Sequence, residues 1–345
     1  MKKRETELDI LRLLAMLAVI WVHVGGTESK ALPTSDPDCQ WLIFLKSIMT
    51  WEIPVYVMIS GRFFLDPDRE MPFSKIRKAI GRLVIAFVFW NVIYQLWYIP
   101  NGTYSGLNWK GILSQALIGP YHFWYLYMIV GLYLITPFLR KIAEDKKLSE
   151  YFIALFFLFS FLTKYAVELP FIGATLGSML DSMSMKFVLG YSGYYILGYY
   201  LRRYPLADKQ ERWLYIFGVA LLLLGAIANT WQSVREGAYT ERYTGYTNPN
   251  TIIVAAAIYT LFTKRIGKLT FPEKVTGLIS KLSEYSFGVY LIHALVLDFV
   301  GTTGMKPSVP HPLVMMPVIT LLTFAVTAVL VALIRKIPKV GRKIT

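Results

Sequence analysis

Runs of apolar residues long enough to cross about 30 Å of hydrocarbon recur along the whole chain, broken by short polar stretches. They predict membrane-crossing helices near 8–24, 41–64, 83–99, 122–139, 151–169, 187–201, 213–230, 251–263, 285–302 and 313–334. No polar stretch between them approaches domain size, so 1–345 is expected to form a single membrane-embedded domain. The expected fold is all-α: a polytopic membrane helix bundle of about ten transmembrane helices. The first run reads as a retained helix and not as a cleaved leader. Asp9 and Arg12 interrupt it, and Val22-His23-Val24 stands where a cleavage site would need small residues. Thr6 and Asp9 are spaced for a capping box at its start, and Asp9 for a pair with Arg12 one turn on.

Charge adds an orientation. The 345 residues are 55% hydrophobic and 17% charged, yet 36 Lys+Arg stand against 22 Asp+Glu, a net charge of +14. That composition excludes an ordinary soluble domain and a disordered chain. A nucleic-acid partner would account for the charge but not for the apolar bulk. With the N-terminus inside, segments 2–4, 69–82, 140–147, 202–212, 264–281 and 335–343 hold 26 of the basic residues. The outside loops hold 6: Lys30, Lys110, Lys186, Arg235, Arg242 and Lys306. The positive-inside rule then places both termini in the cytoplasm, and a multi-pass protein of the plasma or inner membrane is expected. The basic stretches 73–82 and 269–282 are expected along the inner surface, drawn by anionic lipid. The lone Cys39 excludes an internal disulfide and a cysteine-based zinc site, and no metal is expected.

Ionisable side chains inside spans are costly and mark candidate chemistry. Arg12 and His23 lie eleven residues apart, three helical turns plus roughly 20°, so they share one face about 16 Å apart. One reading makes Arg12 an anion holder at the cytoplasmic mouth and His23 a base at depth. The plainer one lets Arg12 snorkel and His23 bond a neighbouring helix. Glu52, two residues before Pro54, either orients His23 or caps a broken helix. His293 lies about 12 Å into the ninth span, as a site residue or a structural hydrogen bond. His122 begins the fourth span beside Trp124, as an acceptor contact or an interfacial anchor. Tyr125 and Tyr127 fit an aromatic belt. Ser60-Gly61-Arg62 suggests a close helix contact through Gly61 more than a nucleophile. Lys164 and Glu168 are spaced as an i,i+4 pair, and His311 as a surface residue. The outer loop 231–250, with Trp231, Tyr239, Tyr243 and Tyr246, has a composition able to stack on a sugar.

Four segments carry a resemblance. They are Asp9-Ile10-Leu11-Arg12 through Trp21-Val22-His23, Val55-Tyr56-Val57-Met58-Ile59-Ser60-Gly61, His122-Phe123-Trp124-Tyr125-Leu126, and Ser286-Phe287-Gly288-Val289-Tyr290-Leu291-Ile292-His293. In this order and spacing they resemble the acyltransferase-3 family of integral membrane acyltransferases. Two features depart from it. Tyr56-Val57 replaces a pair of Phe, and the basic pair entering the third span is Arg82 with Arg77 or Lys78. The resemblance implies transfer of an acyl group, usually acetyl, from a cytoplasmic acyl-CoA donor to a hydroxyl of a glycan or small molecule. Under it, Arg12, Arg77, Lys78 and Arg82 hold the donor's phosphates, and His23 is the base. His122, Trp124 and His293 meet the acceptor. Tyr125 or Tyr127, like His23, is a candidate carrier in a covalent relay. Membrane lipid is an expected partner, nucleic acid is not, and a homo-oligomer is left open. The alternative from another class is a transporter or flippase of a lipid-linked glycan. The chain lacks the internal repeat and paired interrupted spans that this would favour.

Overall fold

The computed structural model describes residues 5–104, 106–184 and 190–345, and the regular structure there is helical. Lys2, Lys3, Arg4, Lys186 and the start of the 187–201 run lie outside the described residues. The chain runs through α1 (Thr6–Glu28), α2 (Pro37–Ser47), α3 (Glu52–Phe64), α4 (Phe73–Tyr98), α5 (Trp109–Ile118), α6 (Trp124–Glu144) and α7 (Lys146–Lys164). It continues through α8 (Gly173–Ser182), α9 (Tyr191–Arg203), α10 (Asp208–Glu236), α11 (Pro249–Thr260), α12 (Glu273–Thr302), α13 (Pro312–Ile334) and α14 (Gly341–Ile344). Among the described residues, 8 stretches are long and apolar enough to cross a membrane, with α2 and α3 forming one broken span. The remaining two expected spans are α9, of 13 residues, and α11, of 12, prolonged by a π turn at Leu261–Arg265. Thirteen residues rise only about 20 Å, short of the hydrocarbon thickness. α9 packs against α3, α6, α7 and α11, and an element walled by protein need not match the lipid.

Local rules account for the breaks. Asp36 caps α2 by accepting from the Asp38 N–H at 2.8 Å, with Pro37 at the first helical position. α3 restarts at Glu52, so Pro54 falls in a first turn, where a missing N–H goes unused. The expected capping box of α1 does not form. Its N-cap is Glu5, with no side-chain cap, because Asp9 is turned to Arg12 and Ser283.

The core is built around α1, α3, α9 and α12, where Leu11, Met16, Val55, Met58, Tyr195 and Leu291 are fully buried. α4, α6, α7 and α10 turn Val88, Leu134, Phe157 and Val219 outward, as lipid-facing helices do. α3 and α9 cross with their backbones in close contact. A Cβ on Gly61 would stand 1.9 Å from the Tyr195 carbonyl oxygen, and one on Gly198 would stand 2.2 Å from that of Met58. The tight contact expected at Gly61 is therefore present, and Gly198 is its partner.

Polar contacts sort the connections into two ends. At the basic end Glu5 meets Arg62 at 3.2 Å, Arg69 at 3.5 Å and Arg202 at 3.3 Å. Arg140 donates to the carbonyls of Phe64, Asp66 and Arg69, closing the end of α3. At the opposite end Glu28 holds Ser308, and Lys46 is bonded to Glu241 at 2.7 Å and to Tyr239. Glu168 pairs with Arg242 from the outer loop, not with Lys164 as the spacing suggests.

At the basic end burial would raise the Asp66 carboxyl, but hydrogen bonds from Arg62, the Asp68 N–H and Arg69 outweigh it and hold the group below the usual carboxylate range. Its folded value is thus depressed, so its contribution to stability is complete above an unfolded value of about 4 and is lost as pH falls through the lower folded one. Thermal unfolding between neutral pH and pH ~3 should show a shallower acid loss in Asp66→Asn than in the parent protein.

Candidate active site

The site forms where α1, α12 and a 3-10 turn at Tyr121–Phe123 meet. α1 supplies His23, the turn His122 and α12 His293. The His23 and His293 rings stack with centroids 5.2 Å apart, His122 lies edge-on to His293 at 5.0 Å, and His23 and His122 are 6.4 Å apart. His122 and His293 are buried, while His23 is only half-buried. Three of the chain's 4 histidines, far apart in sequence, thus make one cluster. Among the described residues no group of His, Cys, Asp or Glu is placed to hold a metal ion.

Each ring is held differently. His293 Nδ1 lies 2.7 Å from the Tyr290 carbonyl, and only an N–H can meet a carbonyl there, so the Nε2 carries the lone pair. That Nε2 is buried and meets no hydrogen-bond partner among the described residues. The His122 ring nitrogens likewise form no well-made hydrogen bond, though the Leu291 carbonyl lies near enough to act on the ring. The Tyr290 hydroxyl donates to the backbone carbonyl of His122, tying α12 to the turn. Tyr94 donates to the Leu291 carbonyl at 3.0 Å and accepts from the Leu295 N–H at 3.1 Å, a wedge in the helical turn that carries His293. Tyr121 sets its edge against His23 at 5.1 Å.

A cavity of about 480 Å³ leads to this cluster from the basic end. Arg12, Arg82 and Arg335 stand at its mouth with Ser283 and Glu284, and Tyr56, Tyr133 and Phe287 wall its middle. Val19, Ile53, Tyr125 and Tyr290 line its inner end. Val19 is one turn before His23, and Tyr290 one turn before His293, so the cavity stops just beneath the imidazoles. Arg12 donates to Asp9 and to Ser283, both at 3.0 Å, and the Ser283 hydroxyl donates to Asp9 at 2.8 Å. Tyr56 donates to the Arg12 carbonyl at 2.9 Å. Arg82 lies over the Phe287 ring and Arg335 over that of Tyr285.

Several expected site residues are placed elsewhere. Arg77 and Lys78 are exposed and line no part of the cavity, because α4 turns Ala79, Arg82 and Leu83 to it. The cation that joins Arg82 is Arg335, more than 250 residues on in sequence. Tyr127, two residues past Tyr125, lies about 200° round α6. It is exposed and donates to the Leu117 and Ile118 carbonyls, so it cannot carry an acyl group from this cavity. Tyr125 does line the cavity. Glu52 does not bond His23: its Oε1 accepts from the Tyr246 hydroxyl at 2.5 Å. His122 is not at the surface but inside the cluster, whereas Trp124 is part-exposed beside Tyr191 and Tyr246.

Ser283, Arg335, Tyr94 and Tyr121 escaped the sequence reading. Ser283 had a readable signal, because it stands three residues before Ser286, where the motif ending in His293 begins. The others belong to elements that no local pattern joins to His23.

A family model described as an acyltransferase domain, acyltransferase-3, matches residues 5–335, nearly the whole chain. No curated protein and no solved structure matches the chain.

Proposed function

The chain belongs to the acyltransferase-3 family and is a multi-pass membrane acyltransferase, and on that premise we propose that it moves an acetyl group from cytoplasmic acetyl-CoA to a hydroxyl of a cell-envelope glycan, with His23 as general base. The observation that supports this reading most is the cavity that runs from a trio of arginines to Val19 and Tyr290, one helical turn short of His23 and His293. Coenzyme A is a polyanion on a slim arm. Arg12, Arg82 and Arg335 offer planar guanidinium forks for its phosphates, and Asp9 and Ser283 hold Arg12 in place. The aromatic walls suit the pantetheine chain, and the thioester then reaches the level of Val19, one turn below His23. In this orientation the basic end faces the cytoplasm, in agreement with the positive-inside count.

His23 carries no hydrogen bond from the described residues, which leaves a ring nitrogen free to take a proton. The acceptor hydroxyl gives its proton to His23 as its oxygen bonds the thioester carbon. The C–S bond then breaks, and the departing thiolate takes that proton from the imidazolium. The products are an O-acetyl ester and free coenzyme A. One observation favours a second assignment within the same chemistry. The Tyr290 carbonyl fixes the tautomer of His293, whose Nε2 lone pair is buried beside His23. His293 is then the base and His23 its stacked neighbour.

The test is release of free thiol from acetyl-CoA by purified protein given envelope glycans, with mass spectrometry of the product. No thiol release above background with any glycan fraction would sink the reading. Arg12→Ala should raise KM for acetyl-CoA by about 10- to 100-fold with a smaller change in kcat, because one charge-assisted contact to the donor is lost. An unaltered KM would remove Arg12 from the mouth.

A further inference from the structure

Glu52 is 1% exposed. A carboxyl group is not put into a protein interior without partners, and here only one of its oxygens has a well-made side-chain bond. Oε1 accepts from the Tyr246 hydroxyl at 2.5 Å, while Oε2 is buried and forms no well-made hydrogen bond, although the Glu52 and Ile53 N–H groups lie near enough to act on the carboxyl. Lys46 is near enough to act on it, but its ammonium is taken by Glu241 at 2.7 Å and by Tyr239. Tyr246 itself is fixed from behind, since Tyr194 donates to its carbonyl at 2.6 Å.

The aromatic surroundings are partly open. Trp124 lies 5.7 Å from both Tyr246 and Tyr191 between ring centroids, yet keeps 37% of its surface exposed. Two elements are shared with the donor cavity. The first turn of α3 gives Ile53 to that cavity and Glu52 to Tyr246, and the first turn of α6 gives Tyr125 to the cavity and Trp124 to the aromatic cluster. Tyr246 comes from the loop at the end opposite the arginines.

We infer that Glu52 and Trp124 form the acceptor subsite: a pyranose lays its apolar face on the Trp124 indole and donates a hydrogen bond to Glu52 Oε2. The inference deepens the acetyl-transfer reading and rests on it for the name acceptor. A ligand donor would give Oε2 the well-made hydrogen bond that the Glu52 and Ile53 N–H groups do not, so binding improves the pairing of a buried group. Such a site rejects a ligand that lacks the donor more strongly than one with a changed apolar contact. An indole face supplies ring stacking without restricting which sugar stacks.

The test uses the full chain in lipid nanodiscs and equilibrium dialysis with radiolabelled methyl pyranosides of glucose, galactose, mannose, N-acetylglucosamine and glucosamine. At least one should bind, and E52Q should weaken it at least tenfold, because the amide keeps an acceptor for Tyr246 but turns a donor toward the sugar. W124A, which removes the indole face but keeps both partners of the Tyr246–Glu52 hydrogen bond, should also weaken it at least tenfold. Acetyl-CoA affinity should stay within twofold in both variants. A preference for glucosamine would identify the donor as its ammonium, and a preference for the neutral sugars as a hydroxyl. Failure of every pyranoside to bind, equal binding by E52Q, or a parallel fall in acetyl-CoA affinity would overturn the assignment. If Glu52-dependent binding stands but no thiol is ever released from acetyl-CoA, the acyl-transfer reading fails and the sugar subsite survives.

Discussion

His23→Ala is expected to lower kcat by about 10²- to 10⁴-fold, the usual contribution of a positioned acid–base group, while acetyl-CoA still binds. The ring stands beyond the inner end of the cavity and is absent from its lining, so donor affinity should stay within about twofold. His293→Ala separates the two base assignments. If His23 is the base, that variant keeps a measurable fraction of turnover, since His293 then acts by stacking on the His23 ring at 5.2 Å. If His293 is the base, the order of the two losses reverses. Single-turnover release of thiol, measured alongside equilibrium binding of acetyl-CoA, distinguishes them. Unchanged turnover in both variants would remove the histidine cluster from the chemistry.

The second large effect concerns folding. Gly61→Ala should destabilise the protein by about 3 kcal/mol or more, and Gly198→Ala similarly, at the upper end of what overpacking costs. The atoms that an added Cβ would strike at Gly61 and Gly198 are the Tyr195 and Met58 carbonyl oxygens. Backbone cannot rotate away as a side chain does. α3 and α9 would have to separate by more than about 1 Å along their crossing to restore normal contact. That displacement reaches the site, because α3 also carries Ile53 and Tyr56 of the cavity wall. Gly131→Ala is the control. A Cβ there meets nothing within 4 Å, and alanine is favoured over glycine in a helix by about 1 kcal/mol. Thermal unfolding in one lipid or detergent should therefore show a large fall for the first two variants and none for the third. An unchanged midpoint for Gly61→Ala would mean that this crossing is not tightly packed.

Much of the fold follows from one-dimensional features. A lipid-crossing helix satisfies its backbone within itself and must be apolar over its own length, so eight long apolar stretches could be read directly from the chain. The two departures, α9 and α11, are buried helices shorter than a bilayer. Their lengths obey packing against α3 and α7, which no hydropathy window detects. The Arg12–His23 stripe was also legible, because an eleven-residue spacing on one helix is a local fact.

Contacts between helices behave otherwise. Arg335 and Arg82 share the cavity mouth, yet Arg77 and Lys78, close to Arg82 in sequence, point away from it. Glu52 looked like a partner for His23 on grounds of depth alone, and the structure gives it to Tyr246, 194 residues on. The all-helical membrane class and the family are legible in the chain alone, because each depends on periodicity, composition or spacing within single helices. Tertiary structure alone decided that His122 and His293 join His23, and which cations meet at the mouth. It also decided that Glu52 faces an aromatic cluster in place of an imidazole. Those outcomes depend on how helices rotate and cross, which is set by close packing at a few contacts such as Gly61 against Tyr195.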